Sequence, residues 1–186
     1  MTLENAKANL QEFAKELNLE LVFDENNTCI LGIDNTFSLH LTYEPNSDRL
    51  YLYSPILDGL PTDDKIRLEL YEALLEGSML GGQMAGGGVG VAVPEGLVLM
   101  HCVIEMGIGA DSAALRRFAP LFVECVEKWR EKVKNIMEGR GKGGPVLPSR
   151  AAQGPVGGGM PPGGAAKPGP GGFPSKGGGP DKFIKI

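Results

Sequence analysis

The chain has 186 residues, 42% of them hydrophobic and 22% charged, with 28 Gly, 14 Pro and a formal net charge of −5. That length suits one domain with a real hydrophobic core and leaves little room for a second. The charge is uneven: residues 139–186 hold 7 of the 18 Lys+Arg and only Asp181 of the 23 acids, so this stretch is +6 and residues 1–138 are −11, a balance that excludes nucleic acid and anionic membrane as natural partners and favours basic segments of other proteins.

Sixteen Gly and nine Pro also fall within 139–186. So little apolar surface cannot offset the entropy of ordering, and a disordered basic tail is expected there, with the folded domain spanning 1–138. The first residues lack a basic region followed by an apolar run, and no apolar stretch approaches the roughly 18 residues of a membrane span, so the expectation is a cytoplasmic protein without membrane insertion.

Leu3, Ala6, Leu10, Phe13, Ala14 and Leu17 recur at helical spacing among Glu4, Lys7, Glu12, Lys15 and Glu16, which predicts an amphipathic first helix. Four runs then read as strands of an antiparallel meander: 19–23, 28–33, 37–43 and 49–53, separated by turn-forming clusters. In the third, Phe37, Leu39, Leu41 and Tyr43 alternate with Ser38, His40 and Thr42, the pattern of a sheet covered on one side only. Pro55, Gly59 and Pro61 are expected to break the chain before Thr62-Asp63-Asp64 caps a second helix.

On that second helix Ile66, Leu70, Ala73 and Leu74 form one apolar group, while Leu68, Tyr71 and Leu75 form another on nearly the opposite side. An apolar arc of roughly 200° is wider than a small monomer buries against its own sheet, so a homodimer through Leu68, Tyr71 and Leu75 is predicted. Gly77 is expected to close the helix, and the glycine-rich stretch 81–88 to be a flexible crossing into a hairpin over 89–93 and 97–104. A last helix is predicted from 112 to 137, with Leu115, Phe118, Phe122, Val126, Trp129, Val133 and Met137 on one stripe, Glu124 four residues before Lys128, and a kink at Pro120. The sum is an α+β fold: an antiparallel twisted sheet with three helices.

Chemistry-bearing motifs are scarce. No Lys-Ser or Lys-Thr follows the glycine run, which precedes a strand, so neither a phosphate loop nor a dinucleotide fingerprint fits. Cys29, Cys102 and Cys125 lack metal-ligand spacing and read as buried free thiols. His40 and His101 sit mid-strand, where a zinc site would need further ligands brought in by folding. Nothing argues for an enzyme or for a cofactor.

The element order α-β-β-β-α-β-β-α is similar to that of the class I type III secretion chaperones, the Tir-chaperone family. Local strings carry the resemblance further: residues 13–17 (FAKEL), 26–31 (NNTCIL), 37–44 (FSLHLTYE) and 74–92 (LLEGSMLGGQMAGGGVGVA) look like the chlamydial, multi-cargo members, and the likeness runs from Met1 to about Glu138. The resemblance implies a homodimer that binds N-terminal segments of secreted effector proteins, keeps them non-globular, and presents them to the secretion apparatus and its ATPase. Effector contacts in the family lie on the first helix and early strands. No short signature transfers residue by residue, so Leu10 and Phe13 are chosen on the helix, and His40, Thr42, Tyr51 and Tyr53 as alternate strand positions. The alternatives are a dimeric peptide-binding adaptor outside secretion, and an enzyme using the glycine loop.

Overall fold

The computed structural model describes residues 2–141. In chain order it contains α1 (Thr2–Leu17), β1 (Thr28–Ile33), β2 (Phe37–Glu44), β3 (Arg49–Asp58), α2 (Asp64–Ser78), a single 3-10 turn (Met79–Gly81), β4 (Gly88–Ala92), β5 (Leu97–Glu105) and α3 (Ala114–Met137). All strand pairs are antiparallel and form one sheet of order β1-β2-β3-β5-β4, so β1 and β4 are its two edges. The α+β architecture read from the sequence is the one observed. The tail expected over 139–186 lies, from residue 142 onward, outside the described residues.

Strand alternation puts Leu39, Leu41, Tyr43, Leu50, Leu52, Ile56, Val98, Met100, Cys102 and Ile104 on one face, and all of them are buried. That face meets the apolar side of α3, whose Leu115, Phe122, Val126, Trp129 and Val133 are buried; α1 packs on α3 and adds Ala6, Leu10 and Phe13. Asn9 fastens these two helices. Its Oδ1 accepts from Leu115 N at 2.9 Å, filling the capping role that Ala113 has no side chain to perform, and its Nδ2 donates to Asp111 O at 3.0 Å. Helix α2 is capped as expected, with Asp63 Oδ1 accepting from Ile66 N at 3.0 Å.

Several expectations are corrected. Residues 19–23 do not join the sheet: Asn18 turns into the left-handed region (φ 52°), Leu19 N donates back to Ala14 O, and Leu21 and Phe23 pack half-buried against the core. This leaves three strands before α2, the number the family order requires. Strand β3 is not broken at Pro55 but runs to Asp58, because a register shift between Pro55 and Leu57 absorbs the proline's missing N–H. Helix α3 runs from Ala114 to Met137 with Pro120 inside it, close to the expected bounds; on its stripe Phe118 is exposed while Ala119 is buried.

Gly77 does not close α2; it sits inside the helix, buried, where a Cβ would lie 2.1 Å from the Trp129 ring. The glycine-rich stretch after it is packed instead of open. Met84 is fully buried, Gln83 O accepts from Trp129 Nε1 at 2.7 Å, and a Cβ on Gly87 would fall 1.8 Å from His101 O. The glycines there serve close backbone approach.

Candidate functional site: an open sheet face and an uncovered helix face

The sheet face away from the helices carries the complementary alternation. In register across all five strands lie Ile30, His40, Tyr53, His101 and Gly88, and beside that row lie Thr28, Thr42, Tyr51 and Val103. The chain's two histidines therefore flank one tyrosine. The His40 and Tyr53 rings stack with centroids 4.9 Å apart, and His40 Nε2 is 2.8 Å from Ser38 Oγ. Thr42 Oγ1 lies 2.9 Å from Thr28 Oγ1 and 3.3 Å from Tyr53 Oη, tying the polar positions into one network. Partial burial holds the His40 pKa below its ordinary 6.5, which favours the neutral ring.

Two recesses open on this face. One, of about 410 Å³, is lined by Thr42, Glu44, Tyr51, Tyr53, Gly90, Leu99 and His101. The other, of about 460 Å³, shares Tyr53 and Leu99 and extends to Phe37, His40, Pro55 and Arg130. Arg130 seals its end: Nη1 donates to Pro55 O at 3.0 Å, Nη2 to Thr36 O at 3.1 Å, and the guanidinium lies 5.4 Å from the Phe37 ring centroid. The surface offered is aromatic and aliphatic carbon edged by hydroxyls, suited to the side chains of an extended segment.

Of the six predicted contact residues, the structure brings four together here: His40, Thr42, Tyr51 and Tyr53. Leu10 and Phe13 stand elsewhere, buried on the core side, although Leu10 also lines a recess of about 160 Å³ with Lys7, Gln11, Leu21, Val22 and Phe23. Leu99, His101 and Gly90 were not chosen from sequence. Leu99 and His101 obey the opposite parity to Val98, Met100 and Cys102, a legible signal, but only the β3–β5 register places them beside Tyr53.

The second apolar group of α2 is uncovered, with Leu68 60% and Leu75 70% exposed. Tyr71 is half-buried and lines a recess of about 200 Å³ with Leu74, Leu75, Val89 and Val91. The apolar surface continues past the helix end in Met79 and in Leu80, which is held in the left-handed region (φ 54°) with its side chain wholly exposed.

The three cysteines are free and buried. Burial pushes the Cys102 thiol up to about 12, and it raises those of Cys29 and Cys125 as well. Among the described residues no three His, Cys, Asp or Glu side chains gather in a way that could hold a metal ion, and no helix is long and apolar enough to cross a membrane.

Residues 8–130 match the model of the Tir chaperone protein (CesT) family. The chain belongs to that family. Among solved structures, a chain of the HopA1–SchA chaperone–effector complex is 28% identical, with a TM-score of 0.55 over 70% of this chain and 97% of the other. A chain of the ExsC–ExsE complex shares the fold at 18% identity, with a TM-score of 0.55 over 69% and 95%. So does a chain from the complex of the Yersinia pestis type III secretion chaperone SycH with a fragment of YscM2, at 17% identity, with a TM-score of 0.50 over 67% and 98%. No curated protein matches. The Tir-chaperone family is a family of chaperones without catalytic activity, and this member has the same sheet flanked by helices.

Proposed function

We propose that this chain is a type III secretion chaperone that binds N-terminal segments of secreted effector proteins, keeps them non-globular, and delivers them to the secretion apparatus and its ATPase. The observation that carries this reading is the open sheet face: within a Tir-chaperone fold, and among the described residues, a half-buried row of His40, Tyr53 and His101 faces away from the helices between the edge strands β1 and β4. An edge strand gives affinity through backbone hydrogen bonds with little demand on partner sequence, and the recesses beside Tyr53 add pockets for alternate side chains. The likeness to the HopA1–SchA chaperone–effector complex supports it further.

The working unit is a homodimer joined through Leu68, Tyr71 and Leu75 of α2, with Met79 and Leu80 extending the same apolar surface. Exposed apolar groups of this size on one helix face favour a second copy as their cover. The His40, Thr42, Tyr51 and Tyr53 face holds the client. Leu10 contributes from beneath, as the buried floor of the recess between α1 and residues 21–23, and Phe13 by holding α1 on the core. Residues 1–138 act as the chaperone domain, and 139–186 as an appended basic segment. The strings over 13–17, 26–31, 37–44 and 74–92 favour a chlamydial, multi-cargo type of chaperone within the family.

The test is capture from the native cytosol with the tagged 186-residue chain, followed by mapping of the protected segment of each bound protein. Secreted proteins held through an N-terminal stretch are expected. Recovery of metabolic enzymes alone would leave the family membership standing and overturn the function.

A further inference from the structure

We propose that the recess above Gly90 is a selective socket for one aromatic side chain, flanked by Lys or Arg, in the extended client segment; this rests on the chaperone reading above. Three observations converge on it. The walls are rings and aliphatic carbon, with Tyr51, Tyr53, His101 and Leu99 around a volume of about 410 Å³, into which a planar ring can stack edge-to-face or offset.

The second observation is Gly90 itself, for which the fold has no need. It sits in regular strand without a positive φ, and a Cβ added there would meet nothing within 4 Å. Gly88, two residues away on the same face, would bring a Cβ only into ordinary contact with the His101 ring. A glycine inside a strand costs stability, and one that neither conformation nor packing requires marks a place kept clear for an approaching group. Side chains at 88 and 90 would roof over His101 and Leu99, their register partners.

The third is charge. Glu44 lines the recess, the Arg49–Glu105 pair beyond it neutralises itself at 2.9 Å, and residues 1–138 as a whole are at −11. Arg49 is also the register partner of Glu44 and meets Tyr51, so Glu44, Arg49 and Glu105 together leave a net −1 at this end of the recess, and basic residues beside the inserted ring are favoured over acidic ones by that charge and by the −11 of residues 1–138. Aromatic insertion supplies affinity; the flanking charge supplies selection.

The two histidines of the chain lie on this face, so their imidazole Cε1–H signals report its occupancy in the intact 186-residue protein. The probe is acetyl-Ser-Lys-Phe-Lys-Ser-amide at millimolar concentration, with the Lys-Ala-Lys and Glu-Phe-Glu versions as controls. A saturable shift of the His101 signal is expected, with both controls weaker by about tenfold. Gly90→Val should abolish the shift while its thermal midpoint stays at or above that of the parent. No shift, an equal response to either control, or an undiminished response in Gly90→Val overturns the socket. A captured secreted client that Gly90→Val holds as tightly as the parent also overturns it, yet leaves the chaperone reading intact. Failure of the parent chain to capture any secreted client would instead strike the chaperone reading itself.

Discussion

Gly77 and Gly90 show how opposite the meaning of one residue type can be. At Gly77 the missing side chain is occupied space: the Trp129 ring fills it, with Cζ2 2.1 Å and Cη2 2.5 Å from where a Cβ would stand. Gly77→Ala should therefore invert the usual helix preference. Alanine gains about 1 kcal/mol over glycine inside a helix, but forcing a methyl into a packed core costs about 1–3 kcal/mol or more, and displacing an indole that also donates to Gln83 O adds to that. A net loss of about 2 kcal/mol is expected in urea unfolding, and an unchanged or higher midpoint would mean that the ring does not lie against Gly77.

His40 gives a pH dependence at the same scale. Because burial lowers its folded pKa below 6.5, the unfolded chain takes up the proton first as pH falls, so stability is present above 6.5 and declines through the window beneath it. Two carboxylates act lower. Backbone donation from Ala113 and the Arg117 side chain hold Asp111 below its ordinary range, and Lys15 does the same for Glu12, so their contributions are lost only in stronger acid. Thermal midpoints measured between pH 7 and 5 should fall for the parent and stay nearly flat for His40→Gln. Parallel curves would assign the titration to another group.

At the level of elements, α2 carries the sharpest division of labour. Leu70, Ala73, Leu74 and Gly77 are buried within the chain, whereas Leu68 and Leu75 project from the other side. Replacing Leu68 and Leu75 together by Glu leaves the buried group alone and should convert the proposed dimer to monomer or aggregate, seen as a change in mass by light scattering. A stable dimer in that variant would place the subunit contact elsewhere. The same helix shows how far periodicity reaches. The two-sided apolar arc was legible at 100° per residue, and the exposed group is where it predicts; the end of the helix was not, because a glycine at a helix terminus and a glycine beneath a tryptophan look alike in sequence. Residues 19–23 failed for a related reason. Their composition suits a strand, but the turn at Asn18 lays them against the core, where half-burial of Leu21 and Phe23 outweighs pairing.

For the whole molecule the separation of charge is the dominant long-range property. With residues 1–138 at −11, association with a basic client segment should be electrostatically steered, and raising salt from about 50 to 500 mM should slow it by about tenfold while changing dissociation much less. Association rates measured by stopped flow across that range test this; a flat profile would show that charge does not steer the encounter. Charge, like composition and the periods of 2 and 3.6, is a property of the chain before it folds. Those properties by themselves determined the α+β class, the helix starts, the one-sided sheet, the buried thiols and the doubly apolar α2. Only the tertiary structure decided that His101 joins His40 and Tyr53 in one row, that Asn9 caps a helix 106 residues away, and that Pro55 stays within a strand. The physical reason is that periodicity is set by neighbours along the backbone, whereas register, capping at a distance and the space beside a glycine are set by whichever segments the core brings together.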